Sequence, residues 1–536
     1  MSSNSNANSN AGSNPGAKGG QSATATAKLN SSLAANVDRI KKTLGNSSDI
    51  VIREVGIGKS GEQRMAIIYT DGLADKDAVA SFIMESSMLD IEQTDTAERL
   101  SESGSALQFL QDSTLTIGEV KPIADFDGLL HSLLSGEAII LLDGYAEGIA
   151  AGTRGWKDRG VSEPAAESVI RGPRESFSET LRTNTALLRR KIKDPNLWLE
   201  TRQIGRVTKT DVSVMFINGI ANDGVVEEVR SRLDRIDIDA ILESGYIEEL
   251  IQDKTYTPFP TVYNSERPDV IAAELLEGKV AILVDGTPFV LIVPALFVSF
   301  LHAAEDYYHR ADISTLVRIL RYLGVFIALF GPSLYVAITT YHQEMLPTQL
   351  LISLAAQREG IPFPAFIEAI MMEVSFEILR EAGLRMPRSI GSAVSIVGTL
   401  VIGQAAVEAG IVSAAMVIVV ATTAIASFVF PAYSLANTIR MLRFPLMGLA
   451  VSFGLFGIIV GVFAILLHLC SLRTFGVPYL SPFAPLIPED HKDTFFRLPQ
   501  WAMTTRPRLI SQKNIKREQS PDLAKPQPPQ PSQPSS

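Results

Sequence analysis

The chain has 536 residues, 46% of them hydrophobic, and a formal net charge of −10. That length allows two or three domains, and an acidic balance without a long Lys/Arg block argues against a nucleic-acid partner. The single cysteine, Cys470, cannot form an internal disulfide or a multi-cysteine metal site.

Residues 1–34 begin with a Ser/Asn/Ala/Gly-rich stretch that has no apolar core. They are predicted to be a disordered tail and not a secretory signal, because they cannot bury enough surface to fold. From residue 35 the polarity becomes that of a soluble α/β or α+β region. A first subdomain with a connecting helical segment is expected over 35–180, and a second over 181–286. The β-rich runs 50–55 and 65–69 flank Gly56-Ile57-Gly58-Lys59-Ser60-Gly61, which formally matches a dinucleotide fingerprint. That fingerprint needs a helix after it. A second strand follows here instead, so the glycines read as a hairpin turn and no cofactor is expected.

An internal repeat organises this region. GEAIILLDG at 136–144 returns as GKVAILVDG at 278–286, each after a Leu-rich helical stretch, and MAIIYTDGLADKDAV at 65–79 resembles VMFINGIANDGVVEEV at 214–229. Two related subdomains are therefore predicted. Asp71, Asp143 and Asp285 stand before glycines at strand ends, which is turn chemistry and not catalysis. Between the halves, charge is dense from Glu167 to Lys191. Arg171, Arg174 and Glu175 are candidates for an interdomain or inter-subunit contact, against the alternative of a solvated helix with i,i+4 ion pairs.

After residue 286 the composition changes, and a membrane domain is expected over 287–471. Residues 288–301 are apolar but short, with Pro294 in the middle, and suggest a re-entrant or interfacial segment. Residues 323–339 read as a span flanked by Arg318 and Arg321. The 362–381 stretch is apolar at helical spacing yet carries Glu368, Glu373 and Glu377. It should lie on the membrane or line water, with Glu373 and Glu377 facing water or cationic partners.

The forty residues 391–430 carry one formal charge, Glu408, and seventeen of them are Gly, Ala or Ser. A helix of roughly 20 residues crosses a hydrocarbon core of about 30 Å, so two helices joined tightly at Glu408-Ala409-Gly410 are predicted. Small residues suit close helix packing. On the first of these helices Val397, Leu400, Gln404 and Glu408 share one face, read as pore-lining. Ser392, Ser395 and Thr399 share the opposite face, read as helix-packing. A loop with Arg440 and Arg443 and a last span at 449–470 complete about 4–6 membrane segments. A short C-terminal region (472–512) and a Pro-rich disordered tail (513–536) follow.

Several long segments in order, among them RGPRESFSETLRTN, VDGTPFVLIVPALF, SLYVAITTYHQEMLPTQLLISLAAQREGIPFPAFIEAIMMEVSFEILREAGLRMP and IVGTLVIGQAAVEAGIVS, resemble the A subunit of bacterial spore germinant receptors. The resemblance covers roughly residues 40–510. It implies a multi-pass protein of the spore inner membrane in an endospore-forming bacterium. The implied partners are a transporter-like B subunit and a lipoprotein C subunit, and the implied role is nutrient-triggered germination, through an oligomeric cation-conducting channel. A paralogous subunit of the dipicolinate-release machinery and a small-solute transporter remain alternatives. No enzyme is expected, since the residues supply no nucleophile–base set, P-loop or metal cluster. Catalytic, cofactor-binding and metal-binding residues are accordingly expected to be none.

Overall fold

The computed structural model describes residues 28–57, 63–81, 120–155, 163–164, 167, 169–385 and 403–517. These divide into two compact units. One holds the residues up to Ile40 with Ile52–Thr70 and Ala74–Arg154; the other holds Lys41–Val51, Asp71–Leu73 and everything from Gly155 onward.

Around the first sheet, α1 (Leu33–Thr43) precedes strands β1 (Ile50–Ile57), β2 (Gln63–Thr70) and β3 (Val120–Ile123). Helix α2 (Phe126–Leu134), β4 (Ala138–Leu142) and β5 (Gly148–Ala151) follow. The sheet order is β1-β2-β4-β5-β3. Helix α2 starts where the Asp125 carboxylate accepts from the Gly128 N–H, satisfying a donor that the first helical turn leaves open. Its Phe126, Leu129, Leu130, Leu133 and Leu134 are buried, the spacing of a single helical face.

The second unit repeats the plan. Helix α3 (Leu181–Lys191) leads into β6 (Leu197–Ile204), β7 (Thr210–Ile217), α4 (Asp223–Asp234) and α5 (Ser244–Ile251). Then come β8 (Tyr263–Ser265), α6 (Pro268–Leu276), β9 (Val280–Val284) and β10 (Val290–Val293), in the order β6-β7-β9-β10-β8. Successive strand residues face opposite sides. Met215, Ile217, Ala281, Leu283 and Ile292 therefore pack with Leu188 and Leu275 of α3 and α6, while Val214, Phe216, Ile282 and Leu291 pack with Val229 and Ile247 of α4 and α5. A strand covered on both faces has no reason to alternate apolar with polar residues. That explains the unbroken AIILL and VAILV of β4 and β9, in which every residue is buried.

The likeness of the two units extends to single hydrogen bonds. Asp143 Oδ1 accepts from the Leu33 N–H at 2.9 Å, and Asp285 Oδ1 accepts from the Leu181 N–H at 2.9 Å. Asn36 and Asn184 each donate back to the loop before their helix, to Asn30 O and Ser178 O, both at 2.6 Å. Gly144 and Gly286 turn the chain at φ +89° and +91°, a conformation open to glycine at little cost. The Asp-Gly pair thus ends the central strand, reverses the chain and caps the neighbouring helix.

The second sheet runs beyond residue 286. Val290–Val293 pairs with β9 on one side and β8 on the other, and a 3-10 turn covers Phe297–Leu301. The segment expected to be re-entrant or interfacial is therefore sheet core: its apolar residues are buried by strands and helices, not by lipid.

A helical group follows: α7 (Glu305–Tyr308), α8 (Ala311–Tyr341), α9 (Thr348–Arg358), α10 (Ala365–Arg385), α11 (Gly403–Glu408), α12 (Ala414–Ser427) and α13 (Tyr433–Ser471). Among the described residues two helices are long and apolar enough to cross a membrane by length and composition, α8 and α13. Helix α12 has 14 residues, about 21 Å of rise. The tight turn expected at 408–410 is present, with Gly410 at φ +64°.

Helix α13 is not one rod. Gly454 has φ 63° and ψ −142°, and a Cβ placed on Gly457 would meet the Leu449 carbonyl oxygen at 2.2 Å. Thr438 near one end donates to Pro258 O, and His468 near the other lies 2.8 Å from Thr257 Oγ1. Thirty residues of straight helix would separate those ends by about 45 Å. The chain therefore reverses at Gly454 into two arms, 433–453 and 455–471. Two expectations are corrected. Arg440 and Arg443 lie within the first arm and not in a loop, and residue 449 lies near the turn and not at the start of a span.

A buried charged seam as the candidate functional site

Arg443 of the first arm is buried, where a charge costs several kcal/mol unless it is paired. Its Nη1 donates to Glu373 Oε2 at 2.5 Å and its Nε to the Ala328 carbonyl of α8 at 2.8 Å. Glu373 itself is fully buried. One turn further along α10, Glu377 Oε2 accepts from Arg440 Nη1 at 3.3 Å and from Arg380 Nε at 3.1 Å. Glu373 and Glu377 are four residues apart and share a face, which is why they meet Arg443 and Arg440 on facing turns of one arm.

Glu368, also fully buried, turns elsewhere on α10. Its Oε2 accepts from the Ser413 N–H at 3.0 Å and the Ser413 hydroxyl at 2.9 Å, at the start of α12. Arg358 of α9 sits 3.5 Å away. Helix α10 is thus tied by carboxylates to α9, α12 and α13, and through Arg443 to α8. The ties are incomplete. Glu368 Oε1, Glu373 Oε1, Glu377 Oε1 and Arg443 Nη2 are buried with no hydrogen-bond partner among the described residues. Buried carboxylates and guanidinia inside an apolar helical group are costly unless paired, which makes this seam the candidate functional site.

A second charged knot anchors the start of α8. Arg318 Nε and Arg321 Nη1 both donate to Asp306 Oδ2 at 2.9 Å, and Arg318 Nη1 donates to Asp493 Oδ1 at 2.7 Å. Tyr307 closes the knot by donating to Asp493 Oδ2 at 2.7 Å. Burial pushes the Asp493 carboxyl up, against the opposing pull of Arg318. Burial, with Arg318 and Arg321 alongside, holds the His302 imidazole well below its usual range.

The residues expected from the sequence are placed as follows. Glu373 does not face water; it is enclosed and faces Arg443, because a pair costs less than a lone buried carboxylate. Glu377 is half-buried against Arg380 and Arg440. Gln404 and Glu408 are exposed on α11, joined to each other by a 2.8 Å hydrogen bond. Val397, Leu400, Ser392, Ser395 and Thr399 lie outside the described residues. Arg171 and Arg174 are exposed, Arg174 at 3.5 Å from Glu163, and Glu175 accepts from Lys191 Nζ at 3.0 Å. Sequence reasoning missed Arg440, Arg443 and Arg358 as partners. The available signal was arginine three residues from arginine inside an apolar helix, with unpaired glutamates on another.

Residues 38–509 match the family described as Bacillus/Clostridium GerA spore germination protein. The chain is 51% identical over 490 residues to spore germination protein KA of Bacillus subtilis, covering 91% of this chain and 89% of that one. It is 46% identical over 500 residues to the B. subtilis membrane protein YfkQ, covering 92% and 95%. Among solved structures it resembles the N-terminal domain of the A subunit of the Bacillus megaterium spore germinant receptor GerK3, at 44% identity and a TM-score of 0.38, covering 51% of this chain and 98% of that one.

Proposed function

The chain belongs to the Bacillus/Clostridium GerA spore germination protein family, and from that premise we propose that it is the A subunit of a nutrient germinant receptor in the spore inner membrane. What carries the reading is identity sustained over nine-tenths of both chains with a spore germination protein. The chain has no enzymatic role and works as one subunit of an oligomer, alongside a transporter-like B subunit and a lipoprotein C subunit. Helices α8, α10 and α12 and the two arms of α13 belong to a multi-pass bundle. Segment 391–407 lines a cation path, with Val397 and Leu400 as its constriction and Gln404 and Glu408 at one mouth. In such a bundle the Glu373–Arg443 seam holds α10 against the first arm, so the charges favour one arrangement of the helices around the path.

Two measurements test this in spores. Deleting the gene should abolish the germination response to at least one nutrient mixture while the spores still form and resist heat. Restoring the chain with Val397→Ala, at protein levels matched by immunoblot, should cause ion release without nutrient, because a smaller side chain widens an apolar constriction. Normal dormancy at normal protein level counts against this segment as the gate. A deletion strain that answers every nutrient but fails to release dipicolinate would move the chain to the dipicolinate machinery.

A further inference from the structure

Tyr256 is 92% exposed, yet the loop that carries it is tightly held. On one side Asp253 accepts from Arg232 Nη2 at 2.6 Å and from the Phe475 N–H at 2.8 Å. On the other, Thr257 meets His468 at 2.8 Å and Pro258 O accepts from Thr438. An exposed ring on an anchored loop points to a contact surface when further exposed apolar side chains stand beside it. The same anchors say where the ring stands, since His468 and Thr438 belong to the two arms of α13 at the end where both arms return. Leu467, next to His468, is 71% exposed. It continues the outward apolar surface of Phe463 and Phe456 on the same arm.

The rim carries further exposed apolar side chains, alongside the exposed carboxylate of Glu249. Tyr246 and Leu250 of α5 are exposed and four residues apart on one face, and Leu242 just before the helix is exposed as well. The first turns of α5 and of α13 line one cavity, which includes Ser244, Glu248, Tyr433 and Asn437. Lys254 and Arg473 flank the arm's end and are exposed. Tyrosine beside lysine and arginine at the end of an apolar helix is the composition of a bilayer's interfacial belt.

We propose that this rim, α5 with the 252–257 loop, is a bilayer-contact surface. Tyr256 and Leu250 are seated at the headgroup level, and Lys254 and Arg473 face lipid phosphate. The inference rests on the reading that the arms of α13 lie in a membrane. It adds that the second sheet unit is held against the membrane surface and does not stand off from it.

The test uses the full chain in phosphatidylglycerol/phosphatidylcholine vesicles, with Cys470→Ser removing the native thiol. Spin labels are placed singly at Tyr256→Cys, Leu250→Cys, Leu467→Cys and Val207→Cys, and collisions with oxygen and with a water-soluble nickel chelate are compared. The expected result is a strongly oxygen-biased label at 467 and labels at 256 and 250 several-fold more oxygen-biased than at 207. Nickel access at 256 and 250 equal to that at 207, with 467 still in lipid, overturns the proposal and leaves the membrane reading intact. Nickel access at 467 removes the membrane reading and this inference with it. Shielding of 256 from both reagents shows that protein, a second copy or a partner, covers the rim, and also overturns it.

Discussion

Replacing Glu373 by leucine isolates the energetics of the seam. The change leaves Arg443 buried with the Ala328 carbonyl as its remaining acceptor. Breaking one side of a buried pair costs about 3–5 kcal/mol, whereas replacing both sides by apolar groups of similar volume is often neutral or stabilising. Glu373→Leu and Arg443→Met should each therefore destabilise by about 3–5 kcal/mol, and the double variant should return to within about 1 kcal/mol of the parent. At about 1–2 °C per kcal/mol for a unit that runs from Gly155 to Ser536, each single change lowers the melting temperature by roughly 3–10 °C. The assay is thermal unfolding of the purified full chain in detergent, followed by size-exclusion of a fluorescent fusion, for all four members of the cycle. A double variant that melts as low as the worse single one, or singles within about 1 kcal/mol of the parent, would falsify the account of Glu373 and Arg443 as mutually dependent.

Gly454→Ala should shift the same melting curve down by about 1–3 kcal/mol, because its backbone geometry is open essentially to glycine and the new Cβ would lie 2.7 Å from the His342 ring; an unchanged curve refutes the reversal at 454. Asp306→Asn should weaken the anchor of α8 by about 2–4 kcal/mol, since both Arg318 and Arg321 lose a charged acceptor, and trypsin should then cut at Arg318 or Arg321 faster than in the parent. Glu167 is pushed up to about 7 by burial, with Ser265 pulling the other way. Its folded form holds a proton that the unfolded chain has lost, so its contribution falls as pH rises from about 4.5 to about 7, by about 3 kcal/mol in all. Glu167→Gln should therefore gain stability relative to the parent at pH 8 and little at pH 4, read from denaturation at both values; equal gains at both refute the assignment.

The two sheets were legible because their signals are local. The repeat 136–144 and 278–286 states the central strand, its Asp-Gly end and its place in each sheet, and the structure adds the capping of α1 and α3. Residues 288–301 misled because an apolar run interrupted by Pro294 has the same composition whether strands or lipid cover it. The seam was half legible. Three glutamates in an apolar helix announced a cost that something must offset, but their partners Arg440 and Arg443 lie 63 and 70 positions away. Pairing at that distance is decided by how helices pack and not by spacing. The reversal at Gly454 had no composition signal, since an apolar helix and an apolar hairpin share one hydropathy profile.

That reversal also brings the two ends of α13 together. The second arm delivers residues 472–517 back to the end from which α8 departs, where Arg506 Nε donates to Leu276 O at 2.8 Å and Ser511 Oγ donates to Ile220 O at 2.9 Å. If the two arms cross a bilayer as proposed, the second sheet and the C-terminal segment share one compartment. A protease or an antibody confined to that compartment meets both, and one confined to the other meets the turn at 454 with the end of α8, where Tyr341 donates to Val451 O at 2.7 Å. A reporter fused after residue 517 and one inserted in the β6–β7 turn must then give the same topology signal.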